Sequence, residues 1–286
     1  MKKILILGAK GTLGGALVEE FSGDATVIAW DKEDLDLAHM GDAKEKIQGV
    51  QPDIIINAVA INAVDAIEED EEVYEVAKQV NGHAPGELAK IAKELSIPFV
   101  HYSTDYVFDG ENTSGYQEDD IPHPLSRYGY IKRLGEQEVE NAGGEYFIIR
   151  LSRLFGKPGI SEHSKRSFVD TMIFLATEGG KTELNVVEDQ FGSPTYAPDL
   201  AKFTRHLLES GKEPGIYHGA NDGSCSWYQW CKKVFEIKGI TIPVHKVPHT
   251  DFPRPAPVPQ CSTLKNTKFQ KQRTWQEALE AYLAGK

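Results

Sequence analysis

The sequence predicts an α/β fold, a doubly wound parallel sheet with a smaller C-terminal α/β portion. Three observations carry that expectation. A short apolar run ends in a glycine turn that opens an amphipathic helix. Strand and helix patterns then alternate through the first half of the chain. The strand-like runs are continuously apolar, as strands covered on both faces are. With 286 residues the chain can bury one large core or two modest ones.

Lys3 to Leu7 is the first such run, and it feeds the spacing G-x-x-G-x-x-G at Gly8, Gly11 and Gly14. Strand, glycine turn and helix in that order are the setting a dinucleotide fingerprint needs. Gly8 permits the tight turn, Gly11 lets the backbone approach a pyrophosphate, and Gly14 lets helix and strand pack closely. The helix N-terminus adds unpaired N–H groups and a partial positive charge. A second strand, Thr26 to Trp30, ends at Asp31, an acid placed to accept ribose hydroxyls, while Lys32 beside it would tolerate a 2′-phosphate. NADH and NADPH both stay open. Asp53 to Ala60 reads as another buried strand, whose small residues Ala58 and Ala60 leave room for a flat cofactor. The acidic run Glu68 to Glu72 reads as a solvated helix start, and a helix from about Pro85 to Leu95 follows.

Next comes the stretch on which the functional reading turns. A strand from Pro98 to Tyr102 ends in Ser103, Thr104 and Asp105, and a Gly-, Pro- and Asp-rich loop then enters a helix carrying Tyr128 and Lys132. Residues one turn apart lie on one helix face, about 5–6 Å between Cβ atoms. An ammonium beside a phenol favours the phenolate, so Lys132 is expected to lower the Tyr128 pKa from about 10. Such a pair can give or take a proton at neutral pH. Hydroxyls at the carboxyl end of a parallel strand face the ligand crevice. Together these groups suggest a site that holds and protonates a carbonyl.

Beyond that helix, which runs to about Asn141, Tyr146 to Leu151 is the next strand. Further helices are expected at Phe168 to Ala176, Pro198 to Leu208, Trp227 to Phe235 and Thr274 to Leu283, with a short strand at Asn185 to Val187. A proline-rich stretch from Pro248 to Pro259 surrounds Arg254. The net charge of −12 argues against a nucleic-acid partner. Cys225, Cys231 and Cys261 have no metal-ligand spacing, and His101, His123 and His218 read as structural, so no metal is expected. The N-terminal apolar run is too short for a signal peptide or membrane span, which points to a cytoplasmic protein. A homodimer is left open.

The residues resemble the extended short-chain dehydrogenase/reductases over nearly the whole chain. The resemblance rests on the glycine turn, PDIIINAVA with Val64-Asp65, STDYVFDG at Ser103–Gly110, HPLSRYGYIKRLGE at His123–Glu136, VVEDQFGSPTYAPDLA at Val186–Ala201, GIYHGANDGSCSW, and a degraded Arg254, Pro255, Ser262, Leu264 segment. It implies a Rossmann-like cofactor domain (1–152 with about 183–210) and a substrate domain (about 153–182 and 211–286). The implied activity is NADPH- or NADH-dependent reduction of the 4-keto group of a deoxythymidine-diphosphate sugar. Tyr128 would donate the proton, Lys132 hold the ribose, and Thr104 bond the carbonyl oxygen. Thr12, Leu13, Asp36, Leu37 and Val59 join the implied cofactor contacts. Ser103, Asp105, Tyr106 and Arg153 are implied at the sugar, and Arg254 suits a diphosphate. Arg153 stands where many members carry tryptophan. Asp105 is followed by Tyr106 rather than glutamate, which speaks against a 4,6-dehydratase. A nucleotide-sugar 4-epimerase, or a non-catalytic subunit like the regulatory one of methionine adenosyltransferase, stays as an alternative.

Overall fold

The apolar run Ile4 to Leu7 is buried on both sides, and the molecule is assembled outward from it. The computed structural model describes residues 1–161 and 165–285. Through the first half the elements are β1 (Lys3–Leu7), α1 (Thr12–Phe21), β2 (Thr26–Trp30), α2 (Ala43–Val50), β3 (Ile54–Asn57), α3 (Val64–Glu69), α4 (Glu71–Ala77), α5 (Ala84–Leu95), β4 (Phe99–Thr104), α6 (Arg127–Ala142) and β5 (Tyr146–Leu151). Then come β6 (Leu154–Phe155), α7 (Phe168–Ala176), β7 (Leu184–Val187), β8 (Phe191–Gly192), β9 (Thr195–Tyr196), α8 (Ala197–Glu209), β10 (Gly215–His218), β11 (Cys225–Ser226), α9 (Trp227–Lys238), β12 (Val244–Val247) and α10 (Trp275–Ala284).

The main sheet has the order β10-β5-β4-β3-β1-β2, and every pairing in it is parallel. The strand order reverses at β1, with β2 on one side and β3 on the other. Ligands of open parallel sheets bind at the carboxyl ends beside such a reversal. Alternation along each strand divides the core in two. Leu5, Leu7, Ile55, Phe99 and Ile148 pack with Ile47 of α2, Leu88 of α5 and Val139 of α6. Ile4, Ile6, Ile56, Val100 and Ile149 face the opposite way, onto Leu17 and Phe21 of α1 and Leu200, Phe203 and Leu207 of α8. Each such large side chain, fully buried, is worth about 1.5–3 kcal/mol, so both helical layers are held by burial rather than by helix propensity.

A third cluster joins Phe155, Val169, Leu184, Trp230, Phe235, Trp275 and Tyr282. Its helices α9 and α10 start on capping boxes, Ser226 with Gln229 and Thr274 with Glu277. Here pairing departs from the division expected from the sequence. β10, expected with the substrate part, is an edge strand of the main sheet, whereas β7, expected with the cofactor part, pairs with β12.

Boundaries differ in three further places. The strand expected over Asp53 to Ala60 ends at Asn57, because Asn57 Oδ1 accepts the Val59 N–H and turns the chain out of the ladder. The acidic run Glu68 to Glu72 is not one helix start. It spans the end of α3 and the start of α4, with Asp70 capping the Glu72 and Val73 N–H groups. α2 was not expected; only Ala43 and Ile47 of it are buried, too few for a visible helical period. Among the described residues no helix is long and apolar enough to cross a membrane, and no cluster of three or more His, Cys, Asp or Glu could hold a metal.

Candidate active site

The glycine turn lies at the carboxyl end of β1, beside the strand-order reversal. Gly8 has φ +78°, a left-handed conformation open to glycine at no steric cost. A Cβ on Gly14 would lie 2.0 Å from the Gly8 carbonyl oxygen, so α1 touches the turn backbone to backbone. Gly11 caps α1 with no side-chain hydrogen bond, leaving the first-turn N–H groups around Thr12, Leu13 and Gly14 for an outside acceptor. This uncapped helix end, reached over side-chain-free Gly11, fits a dinucleotide pyrophosphate.

Around it the expected adenosine-side residues divide. Asp31 Oδ2 accepts the Lys10 N–H at 2.9 Å, and its Oδ1 accepts from Lys32 N–H, so this acid braces the turn. Lys10, missed from the sequence, holds Glu33 at 2.8 Å beside Lys32. Asp36 Oδ1 accepts the Ala38 N–H, and the Leu37 side chain is in the core. After β3, Ala58 and Val59 are half-buried and Ala60 is exposed. The next residue, Ile61, is clamped at both N–H and C=O by buried Asn81, from the π-helical segment Lys78–His83. Asn81 had no sequence signal, since its role depends on a residue twenty positions away.

Thr104, Tyr128 and Lys132 come together at the carboxyl end of β4. Ser126 caps α6 through the Gly129 N–H, and Glu68 of α3 accepts the Arg127 N–H, so the helix start is fixed from two sides. Gly129 packs with no room for a Cβ, which would lie 2.3 Å from the Tyr106 carbonyl oxygen. Tyr128 is 8% exposed and meets the Tyr106 ring edge-on at 5.5 Å. Thr104 Oγ1 donates to Asp105 Oδ1 at 3.0 Å and accepts from the Tyr106 N–H. Lys132, 2% exposed, donates to the Tyr102 carbonyl at 2.7 Å, with His101 Nε2 at 3.5 Å.

The electrostatics correct one expectation. The Tyr128 phenol is pushed well above its usual range, by burial first, with Asp105 and Tyr106 adding to the rise and the Thr104 hydrogen bond opposing it. Lys132 is not among the groups acting on it, because its amine is turned to the Tyr102 carbonyl. Burial lowers Lys132 to about 8, against the pull of Glu136. The phenol therefore keeps its proton firmly, the form a proton donor needs.

Asp105 is a buried hub rather than an open contact. Its carboxylate also accepts from Ser152 at 2.6 Å and from Ser262, joining β4, the end of β5 and the C-terminal segment. Burial raises its pKa and those three hydroxyls, with Arg153, oppose the rise. Ser103 is buried, and its hydroxyl has no hydrogen-bond partner among the described residues. Arg153 takes φ +47° and donates to the Cys225 and Gln190 carbonyls, its guanidinium 3.9 Å over the Trp227 ring. Arg254 grips Asp65 at 2.9–3.2 Å, a partner that sequence spacing could not reveal.

Comparison with known proteins agrees with this geometry. The family described as RmlD substrate binding domain matches residues 1–286. The chain belongs to that family. A spore coat polysaccharide biosynthesis protein, SpsK, of Bacillus subtilis is 35% identical to this RmlD-family chain, covering 99% of it and 97% of the relative. The dTDP-4-dehydrorhamnose reductase of Escherichia coli K12 is 34% identical over 94% of this chain and 91% of its own. In structure, a dTDP-4-dehydrorhamnose reductase from Bacillus anthracis in complex with NADP superposes with a TM-score of 0.92 at 33% identity, covering 100% of this chain and 99% of that one.

Proposed function

We propose that this RmlD-family chain reduces the 4-keto group of dTDP-4-dehydro-L-rhamnose to give dTDP-L-rhamnose, using NADPH or NADH in the cytoplasm. The observation that carries the reading is the buried convergence of Thr104, Tyr128 and Lys132 at the end of β4. It stands beside an uncapped glycine turn, in a chain about a third identical to reductases of this name. A bound nicotinamide cofactor supplies the hydride. The turn residues Gly8, Gly11, Thr12, Leu13 and Gly14 would hold its pyrophosphate, with Asp31, Lys32, Asp36, the backbone of Leu37 and Ala58 to Ala60 lining the adenosine and nicotinamide path. Tyr128 gives its proton to the 4-oxygen as that oxygen becomes an alkoxide, and Thr104 orients the oxygen. Lys132, as an ammonium, would hold the nicotinamide ribose beside that phenol. Ser103, Asp105, Tyr106 and Arg153 form or brace the sugar end, and Arg254 takes the diphosphate on release from Asp65. The substrate part is residues about 153–182 and 211–286, without edge strand β10.

The experiment is consumption of reduced cofactor on adding dTDP-4-dehydro-L-rhamnose. Stoichiometric oxidation supports the reading. Interconversion of sugars on a retained cofactor, with no net oxidation, would replace it with the 4-epimerase. Binding of cofactor with no turnover of any 4-keto sugar would favour a non-catalytic subunit.

A further inference from the structure

Beneath the catalytic lysine lies a chain of buried side chains that the reaction does not touch directly: Asn57 at the end of β3, and His101 on β4. Both have 0% exposure. Asn57 Oδ1 accepts the Val59 N–H at 3.1 Å. A backbone N–H can only donate, so the atom facing it must be the amide oxygen, and the Asn57 nitrogen is the atom that faces His101 Nδ1 at 3.3 Å. That nitrogen also only donates. His101 Nδ1 is thereby the acceptor, and the ring proton belongs on Nε2, 3.5 Å from Lys132 Nζ.

We propose that Asn57 and His101 are positioning residues that set the charge state of Lys132, by holding an imidazole N–H against its amine. An ammonium at Nζ has three donors, one of them used by the Tyr102 carbonyl, and meets a fourth donor in His101. A neutral amine keeps the Tyr102 bond and accepts from His101 Nε2 through its lone pair. The arrangement favours the neutral form. Other groups near Lys132 bear on this balance. Glu136, one turn along α6, pulls the other way, but its carboxylate is taken by Arg150 on β5 and by Arg133. Tyr128, one turn back, is uncharged at neutral pH. The ring itself stays neutral, since its protonation would set Nδ1–H against the Asn57 amide N–H; burial first and then Lys132 hold its pKa well down. Burial first, and then this facing donor, bring Lys132 to lose its charge not far above neutral pH, and the alkaline limb of activity follows.

Two measurements test this, and only the kinetic one rests on the reductase reading. Nitrogen NMR of histidine-labelled protein, with His101 assigned by its loss in His101→Gln, should find a neutral ring protonated on Nε2 between about pH 5 and 8. In Asn57→Asp the carboxylate keeps the Val59 bond and accepts from Nδ1, so the proton should move to Nδ1. A wild-type ring protonated on Nδ1, or an imidazolium near pH 6, overturns the proposal. In His101→Gln the amide oxygen can accept from Lys132, and the alkaline limb of kcat/KM should rise by about one pH unit. A lower rate with an unmoved limb marks a merely structural role and also overturns it. Were no 4-keto sugar turned over, the functional reading would fail, and the same limb would be read from the pH dependence of NADPH binding.

Discussion

Glu136 and Arg150 are the sharpest test of how the site is held. Both are essentially buried, at 0% and 1% exposure, and Arg150 Nε and NH2 donate to the two Glu136 oxygens at 2.7 and 2.8 Å. Changing Glu136→Gln keeps the shape and removes the charge. Arg150 then keeps the amide oxygen at position 136, the Glu118 carbonyl at 3.3 Å and the Phe108 ring face at 5.0 Å, none of which is an anion. Breaking a buried pair from one side typically costs about 3–5 kcal/mol, a large part of the roughly 5–15 kcal/mol that holds a domain together. The assay is denaturant unfolding with an unchanged m-value. Glu136→Leu with Arg150→Met, removing both charges, should lose less than Glu136→Gln alone. The pH dependence has a definite sign. Burial raises the Glu136 pKa, but Arg150, with Arg133, outweighs it and holds the carboxyl below its ordinary 4.5. Its stabilising contribution is therefore complete above that value and is lost as pH falls through the folded pKa; Glu136→Gln should lack this acid-side component. A Glu136→Gln protein within about 1 kcal/mol of wild type would refute the reasoning.

Gly14→Ala would force a Cβ to within 2.0 Å of the Gly8 carbonyl oxygen. Overpacking of that kind costs about 1–3 kcal/mol, and the displaced turn should weaken NADPH binding about tenfold or more in a fluorescence titration. Asp65→Asn removes the carboxylate from Arg254, a pair with 40% and 42% side-chain exposure and so worth about 0–1 kcal/mol. Its melting temperature should barely move while KM for the nucleotide sugar falls, because Arg254 no longer has to leave a carboxylate; Arg254→Gln should raise KM. Unchanged KM in both variants would remove Arg254 from the diphosphate site.

What was legible in the sequence is what local pattern encodes. β1 and β2 have the expected bounds because each is a mostly apolar run closed by Gly8 or Asp31, and β5 because its apolar residues follow the Gly143-Gly144 break. Tyr128 and Lys132 could be paired because one helical turn separates them. Their electrostatics could not, since burial raises the phenol and lowers the amine, and the amine is turned to the Tyr102 carbonyl, all consequences of packing. The same holds for His101, read as structural because it has no ligand spacing, whose partners Asn57 and Lys132 come from other elements. Asp105 shows the limit most clearly: its hydroxyl partners Ser152 and Ser262 are 47 and 157 positions away.

The central claim is that a buried phenol at the end of β4 protonates a carbonyl oxygen as hydride arrives. The most direct measurement is oxidation of NADPH by dTDP-4-dehydro-L-rhamnose in Tyr128→Phe and wild type, with cofactor binding followed in parallel. The expected result is a loss of about 10²–10⁴-fold in kcat with NADPH affinity little changed. A Tyr128→Phe enzyme that turns over at near the wild-type rate would contradict the account.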